Sequence, residues 1–222
     1  MMTQSRIGSI EMPDRVYELA MGLKPFEVEE EIKQLLSAQA NADGILNSLG
    51  KAMVEACERY DRGEFSLPHL STMITTFHMG YELLKEKVKN RRQKGRILIG
   101  TLGSIHYIGK DIIKVSYIAD GFDVHDLGEN LLAGNFIKGI REFGPDIVAV
   151  SMFLTNAMPE LRKIVEFLEK NDLRERTKII IGGVQGNPTV AKKFRLDGWG
   201  HDPKTALKLA SDLIGGLRKE HE

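Results

Sequence analysis

The residues best suited to binding chemistry follow the predicted strands in the second half of the chain. His106 lies in a loop after the first of these strands, Ser151 ends the third, and Gly182 and Gly183 follow the fourth. In open parallel sheets, ligands bind beyond the carboxyl ends of the strands, where the chain reverses its direction across the sheet. The sequence therefore predicts a crevice with one imidazole, several hydroxyls, and glycines that admit a ligand close to the backbone.

Three loops supply the predicted site. The residues expected to contact a ligand are Gly103, Ser104, Ile105, His106, Tyr107, Ile108, Gly109, Ser151, Phe153, Leu154, Thr155, Gly182 and Gly183. A single histidine cannot build a zinc site, and the chain has no CxxC pair and no second histidine at ligand spacing. The sequence has no P-loop, no GxSxG elbow and no GxGxxG fingerprint. On residue type alone, His106 is more often a polar loop residue than a ligand.

Composition narrows the classes of partner. The 222 residues contain 31 basic and 31 acidic side chains, so no net field draws the chain to nucleic acid or an anionic membrane. The single cysteine, Cys57, excludes an intramolecular disulfide, and no signal-peptide pattern opens the sequence. No apolar run approaches the roughly 20 residues that span a bilayer. We expect a cytoplasmic protein without nucleic-acid or membrane partners.

The first part of the chain has helical periodicity. One apolar stripe starts at Leu70, another at Ile45, and a third follows Pro25. Gly63 interrupts the pattern and Ser66 can cap the next helix, which predicts two antiparallel neighbours. The sequence predicts a helical bundle that ends near Val88, and we place this domain at residues 1–90.

A basic run from Lys85 to Arg96 marks a change of periodicity. It is best interpreted as a solvated helix end and linker, because no aromatic residue interleaves the charges. Four strands follow, at 96–101, 123–126, 147–152 and 178–181, with helices starting near Gly109, Leu131 and Pro159. A short segment around Trp199 precedes a last helix at 204–217. Residues 91–222 are therefore predicted to form a flavodoxin-like, doubly wound parallel sheet of five strands, which makes the chain an α/β protein.

Structural roles remain open for several of these residues. Ser151 and Thr155 could cap the helix that starts near Pro159. Gly182 and Gly183 could form an ordinary loop after a strand. The methionines of the bundle are predicted to fill its core.

The spacing of the motifs adds a resemblance to a known family. His106-x-x-Gly109, Ser151-x-Phe153 and Gly182-Gly183 resemble the B12-binding signature DxHxxG, SxL and GG. The segment Gly63–Pro68 is similar to a turn in the helical cap of corrinoid proteins that serve methyltransferases, and Asp126-Leu127-Gly128 is also similar to that family.

The resemblance implies a cobalamin or related corrinoid as cofactor. His106 would be the lower axial ligand of cobalt and would displace the corrin's own nucleotide base. The nucleotide tail would enter a slot between sheet and helices, where Gly182 and Gly183 leave room and Ser151 and Thr155 offer hydroxyls. The helical bundle would act as a cap over the cofactor.

This sequence departs from the family pattern at the position that tunes the histidine. Ser104 replaces the family aspartate, Tyr107 stands where an acidic residue is frequent, and the loop before His106 is one residue shorter. Phe153 replaces leucine. A neutral hydroxyl cannot stabilise an imidazolium as a carboxylate can, so the resemblance implies corrinoid binding with weaker proton control of ligation.

The resemblance implies a methyl carrier that does not catalyse a reaction alone. Its partners would be a substrate-specific methyltransferase, an acceptor methyltransferase and a reductive activator. The alternative is a cobalamin-binding sensor that binds the cofactor without methyl turnover, and the absent aspartate favours it. A third hypothesis is a flavodoxin-like module for another ligand. The sequence shows no evident helix-turn-helix, which argues against a self-contained transcriptional regulator.

Overall fold

The computed structural model describes residues 13–89 and 93–219. Its first helices form one compact unit and its strands, with the helices between them, form a second. The predictions for residues 1–12 and 90–92, including the domain boundary after residue 90, lie outside the described residues. Within the described part of the chain, no helix combines the length and hydropathy needed to cross a membrane.

The first unit is the predicted helical bundle. It contains α1 (Pro13–Met21), α2 (Pro25–Ser37), α3 (Ala42–Asp61) and α4 (Leu67–Val88). At Gly80 of α4, an added Cβ would lie 2.7 Å from Leu49 and 2.8 Å from Ile32. Glycine at this position therefore lets α4 pack closely against both α2 and α3.

The turn between α3 and α4 follows the predicted pattern. Gly63 adopts a left-handed conformation with φ of 76°. Ser66 is the N-cap residue of α4, and its backbone N–H donates to Nδ1 of His69 at 2.9 Å. A left-handed glycine followed by a capped helix start reverses the chain within a short turn.

The second unit is the predicted five-stranded sheet. The strands are β1 (Arg96–Leu102), β2 (Asp123–Asp126), β3 (Ile147–Met152), β4 (Lys178–Gly182) and β5 (Gly198–Trp199). The helices are α5 (Ile108–Asp120), α6 (Ala133–Phe143), α7 (Met158–Lys170), α8 (Pro188–Lys193) and α9 (Pro203–Lys219). The strands run parallel in the order β2-β1-β3-β4-β5. This order confirms the flavodoxin-like fold, with its switch point between β1 and β3.

Alternate residues of the strands face two different cores. Leu98, Val148 and Ile179 pack on one face with residues of α6 and α7. Ile97, Ala149 and Ile180 pack on the other face with residues of α5 and α9. Because helices cover both faces, the central strands need aliphatic residues at successive positions.

Two details differ from the predicted elements. The helix expected near Leu131 begins at Ala133, because Leu131 still pairs with β1: its N–H donates to the Thr101 carbonyl at 3.1 Å. The short helix α8 was not predicted. Its start is an Asn187-Pro188 pair in which the asparagine side chain accepts the Val190 N–H at 3.0 Å.

Candidate functional site

The sheet brings the ends of its central strands together in one row. Thr101 of β1 pairs with Ser151 of β3, and Ser151 pairs with Gly182 of β4. Side chains alternate along strands, so Thr101, like Ile97 and Ile99, faces the core covered by α5 and α9. This row marks the carboxyl edge of the sheet beside the switch point, where the sequence predicted the crevice.

Ser104 holds His106 in the loop after β1. Its hydroxyl oxygen lies 2.7 Å from Nδ1 of the imidazole and also accepts the His106 backbone N–H at 3.1 Å. Ser104 is buried, whereas His106 is exposed. The other ring nitrogen, Nε2, forms no hydrogen bond with the residues that the structure describes.

This geometry suits a metal ligand. In the tautomer with hydrogen on Nδ1, the ring donates to the serine oxygen and Nε2 carries an unengaged lone pair. The second hydrogen bond of a ligating histidine commonly fixes its tautomer and ring orientation in this way. Ser104 therefore supplies the orienting contact that the absent aspartate would make, without its charge.

Phe153 gives His106 a second contact. The two rings are parallel within 4°, with centroids 3.7 Å apart. The sequence indicated a mild replacement of leucine at this position, but an aromatic ring covers one face of the imidazole as an aliphatic side chain cannot. The loops after β1 and β3 thus meet at His106.

The two glycines at the end of β4, Gly182 in the strand and Gly183 after it, have different surroundings. A Cβ on Gly182 would have only the Gly200 carbonyl oxygen within 4 Å, at 3.0 Å, so the space beside it is largely open. A Cβ on Gly183 would lie 2.6 Å from the Met152 carbonyl oxygen, and its φ is +81°. Room for a ligand is thus found at Gly182, whereas Gly183 is required by the turn of the backbone.

The two hydroxyls expected to face the nucleotide tail are placed differently. Ser151 is half-buried in the row, but Thr155 is exposed at the start of a 3-10 turn, Thr155–Ala157. The alternative in which they cap α7 is wrong, because the N-cap of that helix is Ala157 without a side-chain cap bond. Of the two, Ser151 alone shares the row with Gly182.

Exposed apolar side chains border this edge of the sheet. They follow four different strands, and we call them the apolar rim: Ile105, Tyr107, Leu132, Leu154 and Val184. Ile108 is half-buried at the start of α5, and a Cβ added to Gly109 next to it would meet no atom within 4 Å. Such a rim around an open floor fits a large ligand with an apolar surface.

A buried charge cluster that the sequence did not single out lies beside the site. It consists of Lys110, Asp111, Lys114 and Asp126, with Lys110 only 3% exposed. Lys110 Nζ lies 2.6 Å from Asp126, whose other oxygen accepts the Gly128 N–H at 2.9 Å. The cluster joins the start of α5, just after His106, to the end of β2.

Hydrogen bonding keeps the cluster charged despite its burial. Burial alone lowers the pKa of Lys110, but bonds to Asp111 and Asp126 outweigh it and raise that pKa. For Asp126, burial alone raises the pKa, but hydrogen bonds from Lys110, the Gly128 N–H and Lys114 outweigh burial and lower that pKa. Two cations and two anions thus neutralise one another beneath the loop.

The residues present fit a corrinoid. An imidazole nitrogen is available to a metal, an apolar rim surrounds it, and the Thr101 hydroxyl is buried without a hydrogen-bond partner among the described residues. No group of three or more His, Cys, Asp or Glu in residues 13–89 and 93–219 could hold a metal ion alone. A corrinoid brings the ring nitrogens that ligate its cobalt, so the protein would need to add no such group.

Comparison with known proteins supports this fit. A family model for the B12 binding domain matches residues 95–208. Dimethylamine corrinoid protein 1 of Methanosarcina acetivorans is 30% identical over 174 residues, which cover 77% of this chain and 82% of that protein. A corrinoid protein of Desulfitobacterium hafniense is 29% identical over 179 residues, or 78% of this chain and 83% of the relative.

Solved structures have a similar fold over most of the chain. A cobalamin-binding protein from Desulfitobacterium hafniense superposes with a TM-score of 0.70 at 25% identity, covering 92% of this chain and 98% of that one. A chain of the methanol:cobalamin methyltransferase complex from Methanosarcina barkeri has the same fold, with a TM-score of 0.75 at 22% identity over 94% of this chain and 81% of that one. The resemblance drawn from the three motifs is confirmed, and the chain belongs to the B12-binding family of corrinoid proteins.

Proposed function

We propose that this chain is a methyl carrier that binds a cobalamin-type corrinoid at the carboxyl edge of its sheet. The observation that carries the proposal is His106, held at Nδ1 by Ser104 and stacked on Phe153, with Nε2 unengaged. When bound, the corrinoid supplies a cobalt atom to which a methyl group can be attached and from which it can be removed.

The protein's own residues bind and orient this cofactor. His106 would bind the cobalt through Nε2, and its contacts with Ser104 and Phe153 would hold the imidazole ring in place. The apolar rim would contact the edge of the corrin, and burial of those exposed side chains would contribute favourable free energy. Ser151 and Gly182 would line the slot for the nucleotide tail, one with a hydroxyl and one with space.

The remaining site residues would support the loop. Gly103 has a φ of +64°, which lets the chain turn from β1 into the histidine loop. Gly183 would hold the adjacent turn against β3. Ile108 and Gly109 would form the floor beside the imidazole, and Thr155 would lie at the rim rather than in the slot.

We propose that residues 1–90 form the helical domain of the carrier and that residues 91–222 bind the corrinoid. A carrier needs other proteins to load and unload it, so the expected partners are a substrate-specific methyltransferase, an acceptor methyltransferase and a reductive activator. Relatives that are named dimethylamine corrinoid proteins support this class of partner. The proposed location is the cytoplasm, which suits a chain whose one cysteine, Cys57, is buried.

Axial ligation can be tested directly. The protein is titrated anaerobically with hydroxocobalamin and, after reduction to cobalt(II), examined by electron paramagnetic resonance. We expect a tight complex with hyperfine splitting from one protein nitrogen, lost in His106→Ala. His125→Ala is the matched control, because His125 is an exposed imidazole of the same unit that stacks on Phe143. An unchanged signal in His106→Ala would exclude this ligand.

Methyl carriage needs its own test. The loaded protein is first reduced to the cobalt(I) state with a strong chemical reductant. It is then given a labelled methyl donor and a methyltransferase that methylates corrinoid proteins, and an acceptor methyltransferase with a thiol is added afterwards to remove the label. Passage of the label through the protein fraction supports the carrier. Tight binding with no label uptake from any such enzyme would instead favour the sensor.

A further inference from the structure

Thr101 contributes a buried hydroxyl to the row at the ends of the central strands. The residue is fully buried, and its Oγ1 has no hydrogen-bond partner among the described residues. Its backbone groups are used: the N–H donates to the Gly128 carbonyl at 3.0 Å and the carbonyl accepts the Leu131 N–H at 3.1 Å. Buried polar groups are nearly always paired, so this hydroxyl is suited to a partner that the described residues do not supply, such as a ligand or an ordered water.

The position of Thr101 indicates what that partner is. Thr101 is the cross-strand neighbour of Ser151, which in turn neighbours Gly182. All three face the same side of the sheet, towards α5 and α9, by the alternation that places Ile99, Ala149 and Ile180 in that core. The row therefore presents two hydroxyls and an open position. Neither hydroxyl has a hydrogen-bond partner among the described residues, and that of Thr101 is the more deeply buried.

A heterocyclic base matches this row better than the corrin ring does. If His106 binds the cobalt, the ring nitrogen of the corrinoid's own base would not be bound to the metal. That nitrogen then has a lone pair that needs a donor, and a buried hydroxyl that donates to it satisfies both groups at once.

We propose that Thr101 donates a hydrogen bond from its hydroxyl to the nucleotide base of the bound corrinoid. This inference rests on the proposed function and assigns a specificity role to a residue outside the His106, Ser151 and Gly182-Gly183 motifs. The protein would thereby favour corrinoids that carry a nitrogen heterocycle over those that lack one. Thr101 would act on recognition of the tail and leave cobalt ligation unchanged.

The test compares two variants with two corrinoids. Thr101→Val keeps the shape and removes the hydroxyl, whereas Thr101→Ser keeps the hydroxyl. Dissociation constants are measured for cobalamin and for cobinamide, which has no nucleotide base. We expect Thr101→Val to weaken cobalamin binding about tenfold, the effect of one lost hydrogen bond to a buried partner. Cobinamide binding is expected to stay unchanged, and Thr101→Ser to resemble the natural protein with both corrinoids.

Two further readouts separate recognition from folding. The melting temperature of unloaded Thr101→Val should equal or exceed that of the natural protein, because the variant removes an unpaired buried hydroxyl. The nitrogen splitting from His106 in the cobalt(II) complex should be unchanged.

Three results would overturn the inference in distinguishable ways. Equal cobalamin affinity of Thr101→Val and natural protein would mean that only water pairs with the hydroxyl. Equal weakening for cobalamin and cobinamide would mean a structural role for Thr101. Binding of neither corrinoid by the natural protein would overturn the proposed function itself, and this inference with it.

Discussion

The loop after β1 and the loop after β4 both contain glycines of a cofactor-binding motif, yet they are held in place by different forces. In the first, side chains hold the loop: Ser104 and Phe153 fix His106, and the charge cluster anchors the start of α5. In the second, the backbone itself holds the loop, with Gly183 directly against Met152. Even the two neighbouring glycines at the end of β4 differ, because Gly182 leaves space for a ligand whereas Gly183 lets the chain pack against β3.

The largest expected effect is on the backbone-held loop. Gly183→Ala forces a Cβ to within 2.6 Å of the Met152 carbonyl at a φ of +81°. We expect a loss of about 3 kcal/mol in the free energy of unfolding, measured by urea denaturation. Gly109→Ala is the control, since Gly109 is exposed at the start of α5 and an added Cβ there meets no atom within 4 Å. The control should change stability by less than about 1 kcal/mol, and equal losses in both would remove the contrast between the loops.

Removing a charge from the cluster next to the loop after β1 should destabilise the protein. Lys110→Met leaves the half-buried Asp126 with Lys114 as its remaining cation, at 3.0 Å. The expected loss of unfolding free energy is about 2–3 kcal/mol, less than for a carboxylate left wholly unpaired. Lys138→Met is the control, because Lys138 is exposed and lies 3.9 Å from Glu142. A loss no greater than that of the control would show that the cluster does not anchor the loop.

The stability contributed by the charge cluster should depend on pH. The pKa of Asp126 is held below its ordinary value of 3.8, so the stability gained from its charge is present above that pH and is lost as pH falls through the lower, folded value. The destabilisation by Lys110→Met should therefore be constant near neutral pH and should shrink below about pH 4. Unfolding curves of both proteins at pH 7 and pH 3 measure this. The Gly183→Ala penalty is steric and should not shrink in parallel.

Ligation should be sensitive to the orienting hydroxyl. Ser104→Ala removes the partner of Nδ1, and we expect cobalamin affinity to fall roughly tenfold, with a smaller fraction of nitrogen-split cobalt(II) signal. Ser104→Asp should restore the fraction, because a carboxylate makes the imidazole a better ligand. If Ser104→Ala binds like the natural protein with an unchanged signal, the hydroxyl does not orient the ring.

The smallest effect is expected at the stacked ring. Phe153→Leu restores the family residue and replaces an aromatic contact with an aliphatic one that compensates for part of it. The cobalamin dissociation constant should therefore rise about twofold, which corresponds to ~0.5 kcal/mol. Isothermal titration of both proteins measures the change. Tighter binding by the leucine variant would mean that the stack must be broken before the cofactor enters.

The sequence predicted the strands because their composition reflects burial on both faces. β2 and β3 have the predicted bounds, and β1 and β4 each extend by one residue into the site. The predicted placement of Ser151 and Gly182 along one edge is also confirmed by the register of the sheet.

Other features depend on contacts between segments that are distant in the chain. Thr101 looks like an ordinary strand residue until the register with Ser151 is known, although the alternation of β1 carries that signal. Nothing in the local sequence indicates that Phe153 stacks on His106 or that Gly183 contacts Met152. The charge cluster needs α5 and β2 to be adjacent before Lys110 and Asp126 can be paired.

The apolar rim has a consequence for the protein before it meets its cofactor. Five large apolar side chains on one edge form an exposed hydrophobic patch. Such patches promote self-association of newly made chains. A bound cofactor that covers the apolar rim would then also reduce self-association of the protein. Unloaded protein should bind a fluorescent dye such as anilinonaphthalene sulfonate and scatter more light at high concentration, and loading should abolish both signals.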